Sequence, residues 1–507
     1  MQYRNPVISG FFPDPSICRA GDTFYLVCSS FQFFPGVPLF ESRDLINWTQ
    51  IGHVLTRESQ LPLKGADSVG GIYAPTIRYH DGTFYMVTTN VTNGGHFYVR
   101  TNDIHGEWSE PVWVDQEGID PSLFFEDGKT YFMSNGSDEQ GRSCILQCEI
   151  DPETGKRLSE TKAVWHGTGG RFLESPHLYH IGQYYYLMAS EGGTEYGHMV
   201  VYARGLTPYG PFSAYAGNPV LTNRNCGGYL LQGCGHADLV DDTAGNWWMV
   251  HLGFRQIHPW MMFHTTGREV NLVPVQFDAE GWFTAGENGT ARLLMETDRI
   301  PDSVRQVQKT RFTFADTAPG REWVFLQNPD PAHYRFSSAQ FLLQGTQIPL
   351  GSEAASPTFI GIRQKETVFA LSVTVSLSGE EAGVTAYMTD SQHYDLCIRR
   401  TAAGGYTVLR RARLGAIVQE EPMLPVPAGT ESVTLRLSGE PTVYRFAAEI
   451  AGVSHDLGAL EAKYISTEAA GNFTGVMLGL YAESAQEPDE WTVFSDFSLE
   501  NTLPDSQ

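Results

Sequence analysis

The sequence predicts an all-β protein in two parts, a five-bladed β-propeller over residues 1–300 and a β-sandwich over residues 301–507. Three observations predict it. Aromatic residues make up 12% of the chain beside 52 glycines and 28 prolines, which suits short strands linked by tight turns. One strand–turn–strand motif recurs five times before residue 300. After that point the repeat stops, and evenly spaced alternating strands take over.

The five copies run in order. Asp14-Pro-Ser-Ile leads into AGDTFYLVCSS, Ala74-Pro-Thr-Ile into HDGTFYMVTTN, and Asp120-Pro-Ser-Leu into EDGKTYFMSNG. Ser175-Pro-His-Leu leads into IGQYYYLMASEGG, and His236-Ala-Asp-Leu into TAGNWWMVHLG. Their first residues lie 46 to 61 positions apart. Each copy is a strand, a Gly-Asp or Asp-Gly type hairpin and a second strand, and the intervals leave room for two more. Four strands per repeat of this length form a propeller blade. A sandwich reusing one hairpin would share composition between copies, whereas these share position as well. IPDSVRQVQKTRF then reads as a connector. Beyond it Leu371, Val373, Val375 and Leu377 alternate at period two. GVTAYMTD, HYDLCIRR, SVTLRLSG, TVYRFAAEI, TGVMLGLYA and WTVFSDFSLE follow as further sandwich strands.

Charge narrows the function. With 34 basic and 58 acidic residues the net charge is −24, which repels nucleic acid and anionic lipid. The seven cysteines are an odd number with no CxxC, so neither a disulfide scaffold nor a zinc ribbon is expected. MQYRNPVISGFFPDPS does not read as a signal peptide, and no apolar run reaches the length of a membrane span. The expected location is the cytoplasm.

The first strand of each blade lines the propeller axis, so the first residues of the copies converge at one end of it. Those residues are Asp14, Ala74, Asp120, Ser175 and His236, with Glu174 one position before Ser175. Taken singly, each has a structural use: an Asp before Pro serves turns, and a histidine is often a satisfied core residue. Three carboxylates and a histidine in one place are another matter, because like charges packed together are destabilising unless function uses them. Paired carboxylates on aromatic walls suit glycoside hydrolysis. One carboxylic acid protonates the leaving oxygen and one carboxylate activates water or attacks carbon. A third is then understandable as a tuner of the acid.

NPVISGFFPDPSI, SSFQFFPGVPLFESRDLINW, GIDPSLFFEDGKTYF, FLESPHLY, EGGTEYGHMVVYAR and GCGHADLV together resemble the glycoside hydrolase family 43 β-xylosidases and α-L-arabinofuranosidases. The resemblance covers nearly all of residues 4–290. GVMLGLYA and FSDFSLE are similar to the family's appended β-sandwich, of concanavalin or jelly-roll kind. What the resemblance implies is an inverting, exo-acting pentosidase. Asp14 matches its general base, Glu174 its general acid, and Asp120 the carboxylate that tunes the acid and holds the sugar. Arg268 in TTGREV matches an arginine that binds sugar hydroxyls. His236 matches a histidine at the pocket floor, beside which several relatives hold a cation, often calcium, largely through waters. Phe31 matches an aromatic wall of the sugar site.

Phe33 and Tyr73 stand where the family commonly carries tryptophan, which puts the balance between xylose and arabinose in question. Expected substrates are short xylo- and arabinoxylo-oligosaccharides, with a bifunctional β-D-xylosidase/α-L-arabinofuranosidase as the leading expectation. Relatives often associate through their sandwich, so the resemblance leaves room for a homo-oligomer. Two other readings are an arabinofuranosidase with little xylosidase activity and a propeller that binds carbohydrate without cleaving it. A retaining β-fructosidase, which shares the two-domain plan, fits less well, because Pro-Asp-Pro-Ser, Ile-Asp-Pro-Ser and Glu-Ser-Pro depart from its motifs.

Overall fold

The computed structural model describes residues 1–314, 319–337, 339–486 and 489–503. Alternating apolar residues and turn signals produce strands almost throughout, and the α-helix among the described residues is the single turn Thr467–Ala470. No helix of the described residues is long and apolar enough to cross a membrane.

Five antiparallel four-stranded sheets follow one another along the chain. Their first strands are Ser16–Ala20, Thr76–His80, Ser122–Glu126, Glu174–Ile181 and Leu231–Asp241. The hairpins form where the turn residues dictate. Asp81-Gly82 and Asp127-Gly128 both place two successive residues at positive φ, as two-residue primed turns require. The N-terminal segment closes the ring. Gln2–Arg4 pairs with Leu294–Glu296, and the Val7 amide donates to the Val270 carbonyl at 2.8 Å on blade 5. The axis itself is polar. Asp238 of blade 5 accepts from Ser16 Oγ (2.6 Å) and the Ile17 amide (3.0 Å) of blade 1. It also takes Arg78 of blade 2 (2.7 Å) and Tyr179 of blade 4 (2.5 Å).

Residues 297–310 carry no strand. Arg311–Thr313 then opens the sandwich, an eight-stranded sheet facing a six-stranded one. Leu371, Val373 and Val375 point into its core, and Leu377 lies just past the strand, half-buried against the same core. The two parts share a seam. Phe33–Phe34 pairs with Phe325–Leu326, and Arg363 donates to the Phe11 carbonyl at 2.7 Å. Asp390 accepts from Ser68 at 2.6 Å across the same seam. This attachment carries the sandwich segment 467–473 to the open end of the propeller axis.

Candidate active site

Four of the five repeat positions share an unusual backbone. Asp14, Asp120, Ser175 and His236 have φ of 56°, 54°, 59° and 45°, the left-handed region that side chains avoid. Such strain persists only where surroundings impose it, and it clusters at functional sites. Here it sits just before the innermost strand at Asp14 and Asp120 and at an irregularity inside it at Ser175 and His236, and Asp14, Asp120 and His236 come together on the axis. Ala74 does not share it.

His236 Nδ1 lies 3.6 Å from Asp14 Oδ1 and 4.0 Å from Asp120 Oδ2, so one imidazole is flanked by two carboxylates. Arg268 Nη1 donates to Asp14 Oδ1 at 2.7 Å and to Thr194 Oγ1 at 3.0 Å. Ser29 Oγ donates to Asp14 Oδ2 at 2.5 Å. Asp120 Oδ2 accepts from the Ser175 amide at 3.1 Å. Arg268 Nη2 is buried with no hydrogen-bond partner, a donor left over for something that enters the site. Glu174 opens onto a cavity of about 500 Å³ shared with Thr194, Tyr196, Asn472 and Phe473.

These surroundings sort the three carboxyl groups. Burial alone would raise Asp14, but Arg268, His236 and Ser29 outweigh it and hold its carboxyl below the usual range. Burial and the Asp14 charge push Glu174 up to about 7, against the pull of Arg268. Burial, Glu174 and Asp14 push Asp120 up as well, so Asp120 and Glu174 titrate as a pair. Burial holds His236 below the usual histidine range despite Asp14.

An aromatic cluster beside Arg268 is built from both domains. Phe31 sits 5.4 Å from Tyr73 and 5.5 Å from Phe473, ring centre to ring centre. The Arg268 guanidinium lies 5.7 Å from the Phe31 ring and 5.3 Å from that of Phe473. Phe473 is the residue that the sequence left unplaced, although the family resemblance implies a sandwich loop near the site, sometimes with a Phe. It belongs to GNFTGVM in the sandwich, and nothing in the propeller repeat announces it. Phe33 belongs to the same buried cluster as Phe31, one ring removed from it. It is 1% exposed, and its strand pairs across the seam into a cluster with Val324, Leu326 and Phe359. It supports Phe31 through Phe11, whose ring stacks on Phe31 at 5.5 Å. His198 is a second omission. It packs so closely under Gly235 that a Cβ there would meet the ring at 2.4 Å, which explains the glycine before His236.

The protein's own donors near His236 do not fit a directly held cation. One layer further along the axis stands the Arg78 guanidinium, bound to both oxygens of Asp238 and 2.9 Å from His177 Nδ1. A fixed positive charge there opposes a second one. Among the described residues, no three His, Cys, Asp or Glu side chains converge on a metal-sized site.

A five-bladed propeller with buried carboxyl groups of opposed proton affinity around one arginine defines a glycosidase. The chain belongs to glycosyl hydrolase family 43: that family's model matches residues 3–283, and the model of a β-xylosidase C-terminal concanavalin A-like domain matches residues 311–500. It is 41% identical over 490 residues to a non-reducing end α-L-arabinofuranosidase of Bacteroides ovatus, covering 95% of this chain and 91% of that one. It is 37% identical to a xylosidase/arabinosidase of Butyrivibrio fibrisolvens, covering 98% and 99%. Among solved structures, a family 43 protein of the Bacteroides ovatus xyloglucan locus superposes with TM-score 0.92 at 39% identity, over 99% of this chain and 100% of that one. A xylan β-1,4-xylosidase of Bacillus halodurans gives 0.91 at 28% identity, over 98% and 100%.

Proposed function

We propose that this enzyme is an exo-acting, inverting pentosidase that releases terminal β-D-xylopyranosyl and α-L-arabinofuranosyl groups from xylo- and arabinoxylo-oligosaccharides. Asp14, kept ionised by Arg268 and Ser29, takes a proton from a water molecule. That water's oxygen bonds to the anomeric carbon as the bond to the leaving oxygen breaks. Glu174 gives its proton to that oxygen, and the configuration inverts in one displacement. Asp120 shares the pair's proton with Glu174 and holds sugar hydroxyls. The free Arg268 Nη2 donates to another hydroxyl. Phe31, Tyr73 and Phe473 wall the terminal sugar, and the intrusion of Phe473 from the sandwich supports action at chain ends.

The observation that carries this reading is the arrangement at one end of the axis: Asp14, held by Arg268 and Ser29 beside His236 and Asp120, with Glu174 opening onto the cavity. The test is paired kinetics on nitrophenyl β-D-xylopyranoside and nitrophenyl α-L-arabinofuranoside, with Glu174→Ala as control. Turnover of both, lost in the variant, is the expected result. Turnover of the arabinoside alone would narrow the activity to arabinofuranosidase. Binding without turnover of either would leave a carbohydrate-binding propeller.

A further inference from the structure

We propose that Phe172 is the aromatic platform for the sugar on the leaving-group side of the scissile bond, an inference that rests on the pentosidase reading. The leaving oxygen takes its proton from Glu174, so the group that departs must lie on the Glu174 side of the pocket. Phe172 stands two residues before Glu174 and lines the same cavity. Its ring is 57% exposed, whereas Phe31 in the sugar wall is 1% exposed.

The exposure is built, not incidental. Phe172 has φ of 54°, a left-handed conformation that a bulky residue adopts only under constraint. The constraints are visible. The Gly192 amide donates to the Arg171 carbonyl at 2.7 Å, and Arg171 Nε returns a bond to the Gly192 carbonyl at 3.2 Å. The amides of Thr168 and Gly170 donate to the fully buried Glu191 carboxylate at 2.6 and 3.2 Å. The Arg171 guanidinium, itself paired with Glu195, lies 5.4 Å from the Phe172 ring centre. The ring leans on Gly193, where a Cβ would meet it at 2.9 Å. An apolar ring clamped out in water at the mouth of a sugar pocket has unfavourable hydration until something covers it. A pentopyranose offers an apolar C–H face of matching size, and aromatic rings take such faces by stacking.

The experiment compares two substrates that differ only in the departing group. One is a disaccharide, xylobiose, or arabinofuranosyl-xylose if the enzyme favours arabinose. The other is the matching pentosyl fluoride, whose leaving group reaches no platform. In Phe172→Ala, kcat/KM on the disaccharide falls roughly tenfold further than on the fluoride, the scale of one lost aromatic contact. Phe172→Trp restores the disaccharide rate. Equal losses on both substrates, or no loss on either, would overturn the proposal. A wild-type enzyme inactive on both substrates would instead sink the pentosidase reading, before any variant is made.

Discussion

In the sandwich, Glu381, Asp395 and Glu420 meet two arginines and a histidine. On the propeller axis, Asp14, Asp120 and Glu174 meet one arginine and a histidine. Arg411 alone reaches Glu381 (2.8 Å), Asp395 (3.0 Å) and Glu420 (2.9 Å), and Arg399 takes both glutamates again. His393 and the Tyr481 hydroxyl complete the set. Every carboxylate there has at least two donors. On the axis Arg268 reaches only Asp14, and its Nη2 stays free. Proton affinity alone does not separate the two regions, because Glu483 of the sandwich is also pushed up to about 7, by burial and Glu381. Glu483, however, accepts from the Leu350 amide at 2.7 Å, whereas Glu174 opens on a cavity. A buried carboxyl group closed in by its donors holds a fold together, and one that opens on space is placed to do chemistry.

The largest expected effect tests that distinction directly. Asp14→Ala should lower kcat on a nitrophenyl pentoside by roughly 10² or more, the scale of general base catalysis. Glu483→Gln, at the carboxyl with the same raised affinity, should change kcat by less than about twofold, since no substrate reaches it. If both variants lose turnover alike, position on the axis is not what marks the site.

Next comes stability. Arg411→Met strands Glu381 and Asp395 without their shared cation, and breaking a buried pair costs about 3–5 kcal/mol. Urea denaturation should show a lower midpoint. A loss under about 1 kcal/mol would mean that Arg399 and His393 suffice without it.

Much of this contrast was legible in the chain. The repeat placed Asp14, Ala74, Asp120, Ser175 and His236 in equivalent positions, and all but Ala74 share a left-handed backbone. What a repeat cannot disclose is which residue arrives from outside it. Phe473 reaches Phe31 only because the sandwich docks along the seam, a contact with no periodic signature. Phe33 is a related case. It stands two residues from Phe31, but its strand pairs with Phe325–Leu326 of the sandwich and its ring meets Phe11. Phe172 escaped notice because exposed aromatics look like loop residues until the backbone holding them is seen.

A smaller effect follows from Glu174 itself. Its folded pKa, about 7, is above its ordinary 4.5, so the fold favours the protonated form. The stability this contributes is complete below about pH 4.5 and is lost as pH rises through about 7. Glu174→Gln stays neutral throughout. It should match the wild type at pH 4 and exceed it at pH 8 by on the order of 2 kcal/mol, read from thermal or urea unfolding. The same proton sets catalysis, so wild-type kcat should fall through about pH 7, where the acid ionises. Asp14, held low, has the opposite sign: its contribution is present above its ordinary 3.8 and is lost as pH falls further. A stability difference that is the same at pH 4 and pH 8 would remove Glu174 as the raised group.

The smallest expected effect is none at all. The axial layer beyond His236 already holds a cation, the Arg78 guanidinium, which neutralises Asp238 and donates toward His177. Burial keeps His177 well below the usual histidine range, so that ring stays neutral and accepts from Arg78. Arg78 thus does with a covalently attached charge what a bound ion would do by coordination: it ties the inner strands of blades 2, 4 and 5 together. Removing divalent ions with a chelator should therefore leave kcat on the nitrophenyl pentosides unchanged, with metal content checked by elemental analysis. Loss of activity restored by Ca²⁺ would mean that waters around His236 hold an ion despite the guanidinium beyond it. In that case Arg78 would be a structural tie only, and the axis would need both charges.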